Sequence, residues 1–223
     1  MVRFAAMLIL YGNTSWSSPY VLSCFVALHE KSLAFQVKEV ALDLGAQREP
    51  AFAARSVTSR VPVLVDGDFA LSESSAIVEY LAEAYPAPEH ARLFPTNVRD
   101  RARARQVMAW LRSDLVPIRE ERSAEYVFYD HARLPPLAPL SPAGLQAIDK
   151  LLGAADRLVP ESGGALFGSW CIADTDLAMM LQRLVKTGFD VPRRIRAYAD
   201  AQFERAAVKE YAAHTRPEFR APA

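Results

Sequence analysis

The chain has 223 residues, 51% of them hydrophobic, and its 26 basic and 26 acidic side chains cancel to a formal net charge of zero. That length holds one large or two small domains with ample material for a core, and the charge balance excludes nucleic acid or an anionic membrane as the main partner. No apolar run approaches the about 20 residues a membrane span needs; the scattered cysteines (Cys24, Cys171) and histidines (His29, His90, His131, His214) have neither disulfide nor zinc spacing, so no metal is expected and a reducing cytoplasm suits the chain.

Arg3 followed by the apolar stretch Phe4 to Tyr11 faintly imitates a secretory leader. The stretch is short and lacks a convincing small-residue cleavage site, so residues 7–11 read as a first strand. The polar loop Gly12 to Ser18 leads to Pro19, which suits the first turn of a helix. Tyr20 to Lys31 reads as that helix, with Val21, Phe25 and Leu28 along one side. Residues 35–40 form a second strand, and Gln47 to Arg55 a short polar helix. Val61 to Val65 is β-branched and apolar, as a buried strand should be. Proline cannot donate to a sheet ladder, so Pro62 marks the first position of that strand. If the Val61–Pro62 bond is cis, as in about 5–6% of X–Pro bonds, the main chain of Val61 faces outward and can pair with an extended ligand. An ordinary trans proline at a strand edge is the plainer alternative.

Asp66-Gly67 between apolar runs signals a hairpin, and Leu71 ends the returning strand. Ser72 is the expected cap of a helix opening with Glu73, Ser74 and Ser75, with Ile77, Tyr80, Leu81, Ala84 and Tyr85 as its buried face. The N–H groups of such a helix start attract a carboxylate. The Ser74 hydroxyl adds a donor, and the Glu73 carboxylate can hold an ammonium. Together they suit an α-amino-acid head group, although plain capping with a dipole-compensating glutamate accounts for the same residues.

The order βαβ then αββα, with Val61-Pro62 ahead of the third strand and Glu73-Ser74 after the fourth, resembles the glutathione transferase superfamily. Phe167-Gly168-Ser169-Trp170-Cys171-Ile172-Ala173-Asp174 is similar to that family's capping segment before a central helix. Cys171 stands where the family usually has Ser or Thr, and a thiol is a poor acceptor. The resemblance covers the whole chain. It implies an α/β N-terminal thioredoxin-like domain (βαβαββα) over residues 1–86, a linker at 87–97 and an all-α C-terminal helical domain over residues 98–223. In the second half, helical patterns run over about 97–122, 142–159, 172–187 and 193–213. The Arg-rich run Arg99 to Arg105 reads as a solvated helix face, and Leu134 to Leu140, rich in proline, as a loop.

In thioredoxin-like enzymes the loop before the first helix carries the reactive group. Redox members have cysteine directly before the proline; here that residue is Ser18. A serine cannot form a mixed disulfide, but its hydroxyl can donate to the sulfur of bound glutathione and lower the thiol pKa. The resemblance to serine-type, bacterial or tau-like members makes Ser18 the catalytic candidate, with Ser17, Ser15 and Thr14 as fallbacks; helix capping is a second role for Ser18. By the same resemblance Val61, beside Pro62, pairs main chain to main chain with the cysteinyl part of glutathione. Glu73 and Ser74 take the γ-glutamyl head, and Arg60 meets the glycyl carboxylate. Gln47 and Arg48 are weaker candidates for that end, and simple surface charge is the alternative for both arginines. The electrophile pocket is expected between Trp16 with its loop and the first long helix of the second domain, where Trp110, Asp114 and Arg119 share a stripe that reads equally well as core.

The implied function is a glutathione S-transferase of the detoxification type: a homodimer in which a serine hydroxyl activates the glutathione thiolate for attack on a small electrophilic substrate. Glutathione-dependent peroxidase activity is a second use of the same thiolate. Glutathione enters as co-substrate, without metal, nucleic acid or membrane. The rivals are a non-catalytic binding module of the same fold and a glutathione-dependent reductase or isomerase.

Overall fold

The computed structural model describes residues 7–220; the leader-like residues 1–6 and the last three lie outside the described residues. The chain falls into two compact units. One comprises residues up to Leu93 together with those from Glu210 on; the other runs from Phe94 to Lys209. The last residues of the segment that the sequence assigns to the helical domain therefore group with the first unit.

In the first unit, β1 (Leu8–Asn13), α1 (Pro19–Glu30) and β2 (Phe35–Val40) make a crossover with β1 and β2 parallel. A turn-rich stretch carries 3-10 turns at Leu42–Leu44 and Ala46–Arg48 and the four-residue α2 (Pro50–Ala53), where the sequence predicts one helix over 47–55. The hairpin β3 (Val63–Asp66) and β4 (Phe69–Ser72) follows, then α3 (Ser74–Ala84). The strand order is β2-β1-β3-β4, with β3 antiparallel to both neighbours. Gly67, at φ 63°, supplies the positive φ that the tight turn between Asp66 and Phe69 requires.

The two sheet faces are covered differently. On one, α1 and α3 pack together over Leu8 and Leu10, burying Leu22, Phe25, Leu28, Ile77 and Leu81. Each such side chain contributes about 1.5–3 kcal/mol. On the other, Phe52 packs with Val40 and Val63, and Tyr11 meets Phe52 edge-on at 5.7 Å. This second cluster anchors the stretch from Leu42 to Val61. At the end of α1, Lys31 is only 2% exposed; its ammonium donates to the carbonyls of Tyr85 (2.7 Å) and Ala91 (3.0 Å), and burial lowers its pKa. His90 Nδ1 lies 2.9 Å from the Lys31 carbonyl.

The second unit is helical: α4 (Val98–Ser113), α5 (Val116–Glu121), α6 (Glu125–Phe128), α7 (Pro142–Leu158), α8 (Ile172–Lys186) and α9 (Arg193–Phe203), with α10 (Ala206–Ala213) running from this unit into the first. The long helix predicted over 97–122 breaks at Asp114. Leu115 takes φ 61°, and Asp114 accepts from Trp110 Nε1 (3.1 Å), from the Leu115 N–H and from Lys150. The expected stripe of Trp110, Asp114 and Arg119 is thus spread over two helices. The helix predicted over 193–213 likewise breaks between α9 and α10. The central α8 is buried along most of its length. Asp174, in its first turn, is 0% exposed and accepts from the Leu166 N–H (2.8 Å), the Cys171 N–H (2.9 Å) and the Tyr198 hydroxyl (3.0 Å). That carboxylate secures a helix start whose cap residue is the weak acceptor Cys171. No helix among the described residues is long and apolar enough to cross a membrane.

Candidate functional site

Ser18 caps α1: its Oγ accepts from the Val21 N–H at 3.3 Å, and Pro19 fills the first helical position. The Ser18 side chain acts there as an acceptor, so its own proton can still be donated. No acidic residue sits in the first turn of α1, so the positive end of the helix is not neutralised locally. Ser18 is one wall of an open cleft of about 470 Å³, lined also by Leu42, Gln47, Arg48, Thr58, Ser59, Arg60 and Val61. The structure therefore brings Ser18, Arg60 and Val61 together, with Gln47 and Arg48.

The Val61–Pro62 bond is cis, and Pro62 is buried and is not among the residues lining the cleft. Glu73 is exposed and does not itself line the cleft; its Oε1 accepts from the Thr58 hydroxyl at 3.1 Å, and Thr58 does line it. Ser74 is 4% exposed, and its carbonyl faces the Cys24 thiol at 3.8 Å. The cap of α3 is Glu73 and not Ser72: Glu73 takes φ 72°, ψ 113°, and its side chain makes no capping bond to the helix start. That turn lifts the Glu73 carboxylate off its own helix and toward Thr58.

The three fallback hydroxyls are placed differently from Ser18. Ser17 is 2% exposed, and its Oγ is hydrogen-bonded to Ser15 Oγ (2.9 Å) and Asn13 Nδ2 (3.3 Å). Asn13 also donates to Ser15, and Thr14 donates its N–H to the Val40 carbonyl. None of the three is among the residues lining the cleft. Trp16, expected at the edge of an electrophile pocket, is only 4% exposed. Its ring stacks on His214 at 3.5 Å and 5°, and its Nε1 donates to Glu39 at 2.7 Å. Its backbone sits at φ 45°, a region that costs a bulky residue on the order of 1–3 kcal/mol.

Sequence reasoning missed Thr58 and Ser59. The signal was there: a polar run directly ahead of the Val-Pro pair. Ser56 holds that run in shape, since its buried hydroxyl accepts from the Arg60 N–H (3.1 Å) and donates to the Arg60 carbonyl (3.0 Å). Ser59 takes φ 50° at the tip. No group of three or more metal-ligating side chains occurs among the described residues.

Comparison with known proteins matches residues 97–216 to the family model for the glutathione S-transferase C-terminal domain and residues 17–84 to that for the N-terminal domain. The chain belongs to the glutathione S-transferase family. Among solved structures, a glutathione transferase homologue from Burkholderia gl BGR1, crystallised with bound glutathione, is 39% identical at a TM-score of 0.74, covering 92% of this chain and 96% of that one. Among curated relatives, the probable maleylacetoacetate isomerase of Vibrio cholerae is 34% identical over 122 residues, 54% of either chain. Glutathione S-transferase U13 of Arabidopsis thaliana is 38% identical over 91 residues, 41% of this chain and 39% of its own. The chain thus spans about half the length, or less, of the curated relatives it matches.

Proposed function

We propose that the cleft binds glutathione and that Ser18 activates its thiol for attack on a small electrophile. The observation that carries this reading is the convergence on one cleft of a helix-capping serine, the residue before a cis proline and two guanidinium groups. Thr58 links the cleft to the Glu73 carboxylate. In this reading the main chain of Val61 pairs with the cysteinyl unit, while Glu73 holds the γ-glutamyl ammonium. Ser74, at the start of α3, receives the α-carboxylate, and Arg60 with Arg48 meets the glycyl carboxylate. The Ser18 hydroxyl, with a lone pair engaged by the Val21 N–H, donates a hydrogen bond to the sulfur and keeps its proton. A hydrogen bond to the charged form favours thiolate, and the positive end of α1 acts in the same direction. The thiol proton leaves to solvent; the thiolate then attacks an electrophilic carbon, whose leaving group departs with its bonding pair, or the peroxide oxygen of a hydroperoxide, breaking the O–O bond to give an alcohol and glutathione sulfenic acid, which a second glutathione converts to the disulfide and water. The family setting makes a cytoplasmic homodimer part of the same proposal.

The test is a calorimetric titration of the purified protein with reduced glutathione and with its S-methyl derivative. Saturable binding of both is expected. Absence of binding would overturn the reading in favour of a non-catalytic module. A second reading follows from the isomerase name of the Vibrio relative: glutathione would add to and leave from a conjugated double bond without net consumption. Product analysis decides it, since isomerisation regenerates free glutathione and conjugation does not.

A further inference from the structure

The loop that presents Ser18 is held by more than its own local hydrogen bonds. Trp16 lies two residues ahead of Ser18 in a left-handed conformation at φ 45°, which suits glycine and not tryptophan. Backbone of this kind persists only where its surroundings over-determine it. One restraint comes from Glu39 on β2, which accepts from the indole. A local one is the Trp16 N–H donating to the Asn13 carbonyl at 3.1 Å, and further ones come from the far end of the chain. Arg216 Nη2 donates to the Trp16 carbonyl at 3.1 Å and to the Tyr211 carbonyl at 3.2 Å, while Nη1 donates to the carbonyls of Ala212 and His214, each at 2.8 Å. One guanidinium thus closes the end of α10 and ties it to the strained residue. His214 lies flat against the Trp16 ring at 3.5 Å. The Tyr211 hydroxyl donates to the Ser18 carbonyl at 3.1 Å, and its ring meets Trp16 and Phe25 edge-on at 5.2 and 5.4 Å. The main-chain carbonyls on both sides of Ser17 are therefore held by donors roughly two hundred residues away.

We infer that Tyr211, His214 and Arg216 form a clasp that positions the Ser18 hydroxyl. The inference rests on Ser18 as the thiol-activating group. Tyr211 is fully buried, and none of the three lines the cleft, so they are positioning residues and not contacts of the substrate. Their effect comes through geometry: a hydroxyl must stay within about 0.5 Å of its productive place to keep its hydrogen bond to sulfur. Releasing the clasp lets Trp16 leave the left-handed region and carries Ser18 with it. Binding of glutathione by Arg60 and Val61 on the other walls, and by Glu73 beside Thr58, is left largely intact.

Two measurements on the full-length protein test this in Tyr211→Phe and Arg216→Gln, with Arg216→Lys as the conservative variant. The first is hydrogen exchange of residues 12–22, read by mass spectrometry. The second is the pH midpoint of the bound thiol, read by thiolate absorbance alongside glutathione affinity. The expected result is loop exchange roughly tenfold faster in Arg216→Gln, with β3 and β4 unchanged. The thiol midpoint should rise by about half a unit, with glutathione affinity within about twofold of wild type. Arg216→Lys should restore part of both. Wild-type exchange and midpoint in Tyr211→Phe and Arg216→Gln would overturn the clasp, as would activity lost only in proportion to affinity. If Ser18→Ala leaves the midpoint unmoved, the serine reading falls, and with it the catalytic half of this inference; the exchange measurement then decides the clasp alone.

Discussion

Replacing Ser18 by alanine separates the observed capping role of its oxygen from the proposed catalytic one. Ser18 Oγ accepts from the Val21 N–H at 3.3 Å, a long capping bond. Its loss belongs at the lower end of the range for caps, about 0.5–1 kcal/mol, which lowers Tm by roughly 1–4 °C for a chain of this size. The catalytic loss is of another kind. A hydroxyl donating to a charged acceptor contributes about 1.5–3 kcal/mol, and one pKa unit is about 1.4 kcal/mol. Against a free thiol near 8.5, the bound thiol should titrate at about 6.5–7.5 in the wild type and near 8.5 in Ser18→Ala. At about pH 7 the thiolate fraction, and with it kcat/KM, should fall roughly tenfold or more, while above about pH 9 the two proteins should converge. The assay is the pH profile of kcat/KM with an aryl halide, together with a thermal melt. An unshifted midpoint in a mutant that melts within a few degrees of wild type would refute the reasoning; a uniform loss at every pH would assign Ser18 to binding and not to thiol activation.

Glu73→Gln keeps the shape and the acceptor for Thr58 but removes the charge, so glutathione affinity should fall about tenfold or more by calorimetry; unchanged affinity would remove Glu73 from the site. Asp174→Asn turns an amide toward N–H groups that now meet a carboxylate, so it should cost about 3 kcal/mol or more and lower Tm by roughly 6–12 °C; a melt within about 2 °C of wild type would mean that those three hydrogen bonds are replaceable. His214 is held below its ordinary pKa of 6.5 chiefly by burial; Glu210 and Glu39 raise it, and Arg216 lowers it further. The folded state then binds fewer protons than the unfolded one in that range, so the contribution of His214 to stability is present above about pH 6.5 and is lost as pH falls through the folded value. Thermal midpoints taken between about pH 7.5 and 5.5 should drop more steeply in the wild type than in His214→Gln, and equal slopes would rule this linkage out.

The first unit was largely legible because local chemistry and tertiary structure agree there. Alternating apolar residues, Pro19 after Ser18 and the Asp66-Gly67 turn all act over a few residues. The boundaries slipped where a residue adopted an unusual backbone. A hydroxyl at Ser72 is the better cap by propensity, yet the chain turns at Glu73 with φ 72° and frees that carboxylate for Thr58. The helix through Asp114 reads as continuous because its apolar period continues, whereas a left-handed Leu115 and Pro117 in the next turn end it. Trp16 was misassigned for another reason. Nothing local distinguishes a tryptophan that borders a pocket from one buried under His214, and that contact joins residues 198 positions apart. The cleft itself was half visible: the residues at Val61-Pro62 stood out, while Thr58 and Ser59 became meaningful only once Ser56 folded the run around Arg60.

The ammonium of Lys31 has a practical corollary for protein engineering. Pro86-Ala87-Pro88 has the composition of a hinge, yet Tyr85 and Ala91, on either side of it, both give their carbonyls to Lys31, and Leu93 is buried just beyond. The prolines are thus moored to the end of α1. Anyone dividing the chain for a fusion or a split reporter should keep residues 86–93, and those from Glu210 on, with the first unit; a cut at Pro86 would strip a sequestered cation of the Ala91 acceptor.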